Sequence, residues 1–234
     1  MGKYPASKKT RPRMIKKPMS FVLTLAVLAT LVYIARCIYP AVATIRELLA
    51  ENKQLKQAIT NLTTEEQIGY AKIISQEKRD GKTFTTMKFV ETARNNKLEK
   101  ILEKEYVIEG DIIHFDALIV KFGNKMVMDG RAKALYLWRR IYGEKMTPEN
   151  GFPIETTGTE PQRYKDIFEN LPLKHKELFW TNIWDLANNP DKLQEYDIEA
   201  IYGNVVYSKL RPGLIYVFKI SPTGQVYPEV VPDM

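Results

Sequence analysis

The fold is decided by residues 69–92, which read GYAKIISQEKRDGKTFTTMKFVET. Two runs rich in β-branched and aromatic residues stand on either side of Asp80-Gly81, a dipeptide that strongly favours a two-residue hairpin turn. The pattern therefore predicts a β-hairpin over residues 67–92. This hairpin indicates a domain built on antiparallel strands.

Most of the chain beyond this hairpin has the composition of short strands separated by turn residues. Residues 93–103 are the exception, because their polar character and sparse apolar positions favour a short helix. Turns are predicted at Gly110-Asp111, at Pro212-Gly213 and at residues 222–224. The predicted strands are EYVIE (105–109), IIHFDALIVKF (112–122) and a closing meander of VVYSKL (205–210), LIYVFKIS (214–221) and QVYPEVV (225–231). The residues of AKALYLWRRIY (132–142) also suit a helix, but the alternation of Leu135 and Leu137 favours a strand.

The region between these two groups of strands predicts a loop and two helices. Residues 143–160 are rich in turn formers and favour a long surface loop. Apolar residues then follow helical spacing over residues 164–171 and again over residues 180–187. Because strands are followed by helices and then by strands, we expect residues 64–234 to form a soluble α+β domain, in which two or three helices accompany antiparallel strands.

An apolar segment near the N-terminus predicts a transmembrane helix. Residues 19–35, MSFVLTLAVLATLVYIA, are uncharged. A helix over residues 19–39 would be about 31 Å long, enough for a hydrocarbon core of about 30 Å. Residues 1–18 form a basic tail with seven Lys and Arg and no acidic residue. By the positive-inside rule the tail is cytoplasmic and the C-terminal domain is extracytoplasmic, or periplasmic in a Gram-negative cell.

Two alternatives to an uncleaved anchor follow from the same residues. A signal peptide could be cut at Ala41-Val42-Ala43, which has the small-x-small form of a cleavage site. Arg36 would then lie between the apolar core and the cut, which is unusual for a signal peptide. A lipoprotein could be anchored through Cys37, but Arg36 stands where such proteins have a small residue. The retained transmembrane helix is therefore the favoured interpretation.

Residues 40–63 have the repeat of a short coiled coil. Apolar residues recur at alternating spacings of three and four, with isoleucine at the a positions and leucine at d. A single asparagine at an a position favours one register and two strands, so we expect a parallel homodimer. The open alternative is an amphipathic helix that packs on its own domain. The residues predicted to mediate self-association are Ile45, Leu48, Asn52, Leu55, Ile59 and Leu62.

The segment Glu51-Asn52-Lys53-Gln54-Leu55, placed shortly after the span, resembles the septum-formation initiator proteins of bacterial division. The order of span, coiled coil and β-rich outer domain is similar to the rod-shape-determining scaffold proteins of the cell-wall elongation machinery. The resemblance covers residues 20–62. It implies that an anchored scaffold of the cell envelope is the class to expect.

The charge distribution excludes a general nucleic-acid binder. The 234-residue chain has a formal charge of +7. Residues 1–62 contain eleven Lys and Arg but only two acidic residues, so the rest of the chain is slightly acidic. The domain therefore has no overall positive field that would attract phosphates. A lipid bilayer is the partner expected for the tail and the span.

The sequence contains few residues arranged for chemistry. It has no glycine-rich phosphate loop, no nucleophile elbow and no pair of cysteines, so we expect no cofactor and no metal. His114 and Asp116 stand two apart on a predicted strand and therefore share a face. They are candidates for a catalytic base with its orienting acid, or for two metal ligands.

These observations predict a membrane-anchored, non-enzymatic protein of the cell envelope. Its outer domain would act as a scaffold or binding module for another envelope protein or polymer. The alternative is an anchored extracytoplasmic enzyme with its site around His114 and Asp116. Acidic residues gathered around His114 in a concave pocket would favour the enzyme, and a flat exposed apolar patch would favour the binding module.

Overall fold

The computed structural model describes residues 17–94, 96–156, 160–164, 176–193, 195 and 198–233. Its contacts divide the chain into two compact units, Met1–Gln54 and Leu55–Met234. The predicted cytoplasmic tail lies outside the described residues except for its end.

Helix α1 extends over Lys17–Thr63, a length of 47 residues. It continues through Pro40, where the sequence predicted the start of a separate helix. The predicted span, residues 19–39, lies within α1, although the side chains of residues 19, 20 and 38 are outside the description. Among the helices in the described part of the chain, none is both long and apolar enough to cross a membrane.

Sheet A is a five-stranded antiparallel sheet. Its strands are β1 (Glu66–Arg79), β2 (Lys82–Ala93), β3 (Asn96–Glu109), β8 (Leu214–Ile220) and β9 (Val226–Pro232), and their order in the sheet is β3-β2-β1-β8-β9. Strands β1 and β2 form the predicted hairpin, and Asp80 and Gly81 at the turn have φ angles of 50° and 74°. Left-handed backbone at both central residues is what a type I′ turn requires, so the hairpin is confirmed.

Sheet B is a four-stranded antiparallel sheet. Its strands are β4 (Ile112–Phe122), β5 (Leu135–Gly143), β6 (Phe152–Pro153) and β7 (Ile198–Lys209), and their order in the sheet is β6-β5-β4-β7. Most residues of the central strands β4 and β5 are apolar and buried. The helices are α2 (Asn124–Met128), α3 (Lys176–Leu186) and α4 (Pro190–Leu193).

The two sheets pack face to face around an aromatic core. Phe89 of sheet A meets Trp138 of sheet B edge to face, with ring centroids 5.3 Å apart. Phe218 of sheet A lies 4.6 Å from Phe115 of sheet B. Edge-to-face and tilted aromatic pairs of this kind add packing energy beyond the area they bury.

A second core lies on the other face of sheet B. Helix α3 covers that face with Phe179, Trp180 and Ile183, all of which are buried. Tyr164 stacks on Trp180 with centroids 5.5 Å apart. The helical stripe predicted over residues 180–187 is therefore confirmed, whereas most of the stripe predicted over residues 164–171 falls outside the described residues.

The domain is α+β, with antiparallel sheets and few helices, as the sequence predicted. The predicted strand over residues 132–142 corresponds to β5. The predicted loop over residues 143–160 contains a short 3-10 turn at Pro148–Asn150 and the two-residue strand β6.

Two predictions of local structure were wrong. Residues 93–103 belong largely to strand β3 rather than to a helix, because they pair with the edge of β2, although two register shifts interrupt the pairing. The closing strands do not form one meander, because β7 pairs with β4 in sheet B whereas β8 pairs with β1 and β9 in sheet A. In both cases pairing between strands outweighed the local pattern.

Candidate functional sites

His114 lies on the face of sheet B opposite the aromatic core, in register with a tyrosine on each neighbouring strand. Its ring stacks on Tyr142 of β5, with centroids 4.8 Å apart and planes 6° from parallel. Tyr207 of β7 lies 5.8 Å away on the other side and is 69% exposed. Three aromatic rings thus form a row across three strands, which we call the aromatic row.

Asp116 is buried next to this row and is paired with two arginines. Its Oδ2 lies 3.5 Å from Nη1 of Arg139 and 3.3 Å from Nε of Arg140. Burial raises the pKa of the Asp116 carboxyl, and the two guanidinium groups oppose that rise. Arg139 also lies over the ring of Trp184, 5.0 Å from its centroid.

The structure places His114 and Asp116 on one face, but it does not join them into a catalytic pair. Among the described residues, neither a hydrogen bond nor an ion pair connects the two side chains, and Asp116 binds arginines instead. The same part of the chain contains no group of three His, Cys, Asp or Glu side chains that could hold a metal ion. The geometry therefore offers an aromatic surface beside a buried ion pair.

A second site, which was not among the sites predicted from the sequence, surrounds Glu91 at the end of the core. Glu91 lies on β2 and is 1% exposed. Its Oε1 accepts a hydrogen bond from the Tyr136 hydroxyl at 3.1 Å and lies 2.9 Å from Nη1 of Arg163. The same Nη1 lies 2.7 Å from Oε1 of Glu155. We call Glu91, Glu155 and Arg163 the Arg163 clamp.

Burial dominates the chemistry of Glu91. It raises the pKa of this carboxyl to about 7, while the Arg163 guanidinium opposes the rise and the Glu155 carboxylate adds to it. A carboxyl that titrates near neutral pH next to a cation is a frequent feature of functional sites. The Glu91 carboxyl can therefore gain and lose a proton near pH 7.

Arg163 and Tyr164 also complete the hydrogen bonding of strand β5 at Tyr136. The Tyr136 amide donates to the Tyr164 hydroxyl at 2.7 Å. The Tyr136 carbonyl accepts from the Tyr164 hydroxyl at 2.8 Å and from Nη2 of Arg163 at 2.7 Å. Side chains thus replace the neighbouring strand that β5 lacks at this position, as buried backbone groups require.

The Arg163 clamp forms one wall of an open cavity of about 350 Å³. The edge strand β3 contributes Ile101, Leu102 and Lys104 to the lining. Lys104 donates from Nζ to the Ile154 carbonyl at 2.7 Å. The cavity lining therefore combines apolar and charged side chains.

The residues predicted to mediate self-association lie on helix α1, and their side chains differ in exposure. Ile45, Leu48, Leu55 and Ile59 are between 56% and 60% exposed in the single chain. Leu62 is half-buried. Beside it, Asn61 donates from Nδ2 to the Met128 carbonyl at 2.8 Å, so the end of the helix is bound to the domain.

Comparison with known proteins gave no relative. No family model, no curated protein and no solved structure matches this chain. We therefore argue its function from its own residues.

Part of the second site carried a signal in the sequence. Glu91 is in phase with Met87 and Phe89, the inward-facing residues of β2, so strict alternation places a carboxylate in the core. Arg163 and Glu155 carried no such signal, because both lie outside regular strands. Their meeting with Glu91 depends on contacts between segments about 60 to 70 residues apart in sequence.

Proposed function

We propose that this chain is a single-pass, membrane-anchored protein of the cell envelope. In this proposal it acts without catalysis, as a parallel homodimer whose outer domain binds another envelope protein or polymer. The observation that carries the proposal is the apolar surface of helix α1. Between Phe21 and Ile34 every large apolar side chain is at least half exposed.

Insertion into a membrane would cover the apolar surface between Phe21 and Ile34. Residues 19–35 contain no charge, and seven basic residues precede them. Each Leu, Ile, Phe or Val contributes about −0.3 to −0.6 kcal/mol to insertion, whereas Arg36 near the end of the span can reach the headgroups. Orientation by the positive-inside rule puts the two sheets outside the cytoplasm.

Dimerisation is supported by the second part of the helix. Four residues of the heptad, Ile45, Leu48, Leu55 and Ile59, are exposed in the single chain. Burial of apolar surface contributes about 25 cal/mol per Å², and two anchored copies are already parallel and close. Asn52 at an a position would then select the two-stranded form.

A binding role fits the face of sheet B better than a catalytic one. The aromatic row presents the exposed ring of Tyr207 beside the stacked pair His114 and Tyr142. Aromatic side chains supply large contact areas at interfaces. The alternative, an enzyme with its site around His114 and Asp116, has less support because Asp116 is buried against Arg139 and Arg140.

Disulfide cross-linking in membranes tests the proposal. With Cys37 changed to Ser, a cysteine at Leu55 should cross-link to its copy in the second chain upon mild oxidation, because d positions face each other. A cysteine at Lys53, on the outer face of the heptad, is the matched control and should not cross-link. Equal cross-linking at both positions, or none at either, would contradict the dimer and leave an anchored monomer.

A further inference from the structure

The Arg163 clamp contains more negative than positive charge. Glu91 and Glu155 each carry a carboxylate, and both contact the same nitrogen, Nη1 of Arg163. Solvent cannot fully screen the repulsion between these two carboxylates, because the Glu91 side chain is 2% exposed and that of Glu155 is 17% exposed. A buried and a half-buried carboxylate on one cation repel each other, and this repulsion is relieved when one of them holds a proton.

Among the described residues, the charged groups around the clamp do not remove this excess. Arg94, which lies over the ring of Tyr136, is paired with Glu66 at 2.6 Å, and Glu66 also binds Lys133. The cavity lining adds one lysine, Lys104, whose Nζ donates to the Ile154 carbonyl, and a third carboxylate, that of Glu160. Tyr136 and Tyr164 are buried phenols whose pKa values are raised by burial, so they remain neutral.

We propose that the Arg163 clamp is a proton-dependent device which holds the segment around Glu155 against the domain below neutral pH and releases it above. The proton resides on Oε2 of Glu91, because Oε1 already accepts from Tyr136 and faces Arg163. Loss of this proton to solvent leaves two carboxylates that compete for one guanidinium. The raised pKa of Glu91, about 7, puts this step in the physiological range.

Glu155 is the acid that moves. Glu91 lies within strand β2, where Gly69 of β1 and Leu102 of β3 pair with it on either side. Glu155 follows the short strand β6 and lies outside any strand. Repulsion therefore displaces Glu155 and, with it, Ile154, which donates to the Arg139 carbonyl at 3.0 Å and accepts from Lys104. Release of these contacts widens the cavity between β3 and the clamp.

Hydrogen exchange of the full-length protein in mild detergent tests the clamp. The probe is the Ile154 amide, measured at pH 6 and pH 8 by mass spectrometry and corrected for the intrinsic pH dependence of exchange. Opening that requires loss of one proton with a pKa of about 7 becomes about tenfold more favourable between these two pH values. The protection of Ile154 should therefore fall about tenfold.

Three variants make the result specific. In Glu91→Gln the carboxamide imitates the protonated acid, so protection should stay high at both pH values. Glu155→Gln removes the second charge and should also abolish the pH dependence, which gives an independent test if Glu91→Gln does not fold. Glu105→Gln, on the exposed part of β3, should keep the tenfold change. A wild-type protein with equal protection at both pH values, or a Glu91→Gln variant with the wild-type change, would overturn the proposal.

Discussion

A single buried carboxyl, Glu91, makes the stability of the domain depend on pH. Its pKa rises from 4.5 to about 7 on folding because burial disfavours the charged form. The folded state therefore binds the proton more tightly than the unfolded state between these two values. The resulting stabilisation is fully present below pH 4.5 and is lost as the pH rises through 7.

Glu91→Gln removes this contribution, because glutamine does not titrate. We expect the free energy of unfolding of the wild type, relative to that of the variant, to fall by up to about 3 kcal/mol between pH 4.5 and pH 8. Urea denaturation of both proteins at several pH values measures the difference. Because other titrating groups are common to both proteins, their effects cancel. Parallel stability curves would show that Glu91 has an ordinary pKa in the folded state.

Some individual residues of the candidate sites could be predicted from the sequence, but the residues that they contact could not. His114 and Asp116 could be placed on one face from strand alternation alone, and the structure puts them there. The contacts of His114 with Tyr142 and Tyr207 required the register of three strands, which no local pattern determines. Arg163 was not predicted at all, since its role comes from tertiary contacts.

At the scale of secondary-structure elements, local patterns succeeded where turn chemistry is strict. The Asp80-Gly81 turn and the strands around it follow from residues close in sequence. Strand β3 shows the limit, because its charged residues suit a helix in isolation. Its lysines and glutamates instead form cross-strand pairs with β2, such as Lys88 with Glu103, and they protect an edge strand from association.

Connections between sheets were also beyond local prediction. Gly110, with a φ angle of 110°, lies where the chain leaves sheet A and enters sheet B. The sequence indicated a turn there, as it would for an ordinary hairpin. Only the packing of β4 between β5 and β7 shows that the chain changes sheets. The α+β class could therefore be predicted, but the strand order could not.

The end of helix α1 is fixed to the domain by a contact that glycine permits. Gly130 has a φ angle of 70°, and a Cβ at this position would lie 3.0 Å from Nδ2 of Asn61. Asn61 in turn donates to the Met128 carbonyl. Gly213 has a similar φ angle of 80° but no atom within 4 Å of the same position. Alanine substitution at Gly213 therefore tests backbone strain alone, whereas substitution at Gly130 tests backbone strain together with the contact to helix α1.

We expect Gly213→Ala to cost about 1–2 kcal/mol of unfolding free energy, because left-handed backbone is unfavourable for alanine. Gly130→Ala should cost about 0.5–1.5 kcal/mol more, the typical value of the displaced hydrogen bond. Combination with Asn61→Ala in a double-mutant cycle should show coupling of the same size for Gly130 and none for Gly213. Equal costs for the two glycines would mean that the helix end does not depend on this contact.

At the scale of the whole molecule, the charge is distributed unevenly along the chain. The net charge of +7 comes from the N-terminal segment, while residues 63–234 are slightly acidic. A basic tail of this kind before an apolar segment sets the direction of membrane insertion. The same distribution removes any reason to expect nucleic-acid binding by the two sheets.

The proposed topology predicts which parts of the chain a protease can reach in intact cells whose outer barrier has been permeabilised. Residues 64–234 should be digested, while an epitope tag placed before Lys3 should survive on a fragment of the size of the tail and span. In the proposed topology, the seven basic residues on the N-terminal side hold the tail in the cytoplasm.

Lysis in detergent provides the control, because it should make the tail accessible as well. Mass spectrometry of the untreated protein should also find the N-terminal segment intact, whereas a mature chain that begins at Thr44 would identify a cleaved signal peptide. Protection of residues 64–234 in the permeabilised cells would reverse the orientation. The aromatic row and the Arg163 clamp would then face the cytoplasm, and an envelope partner would be excluded for both.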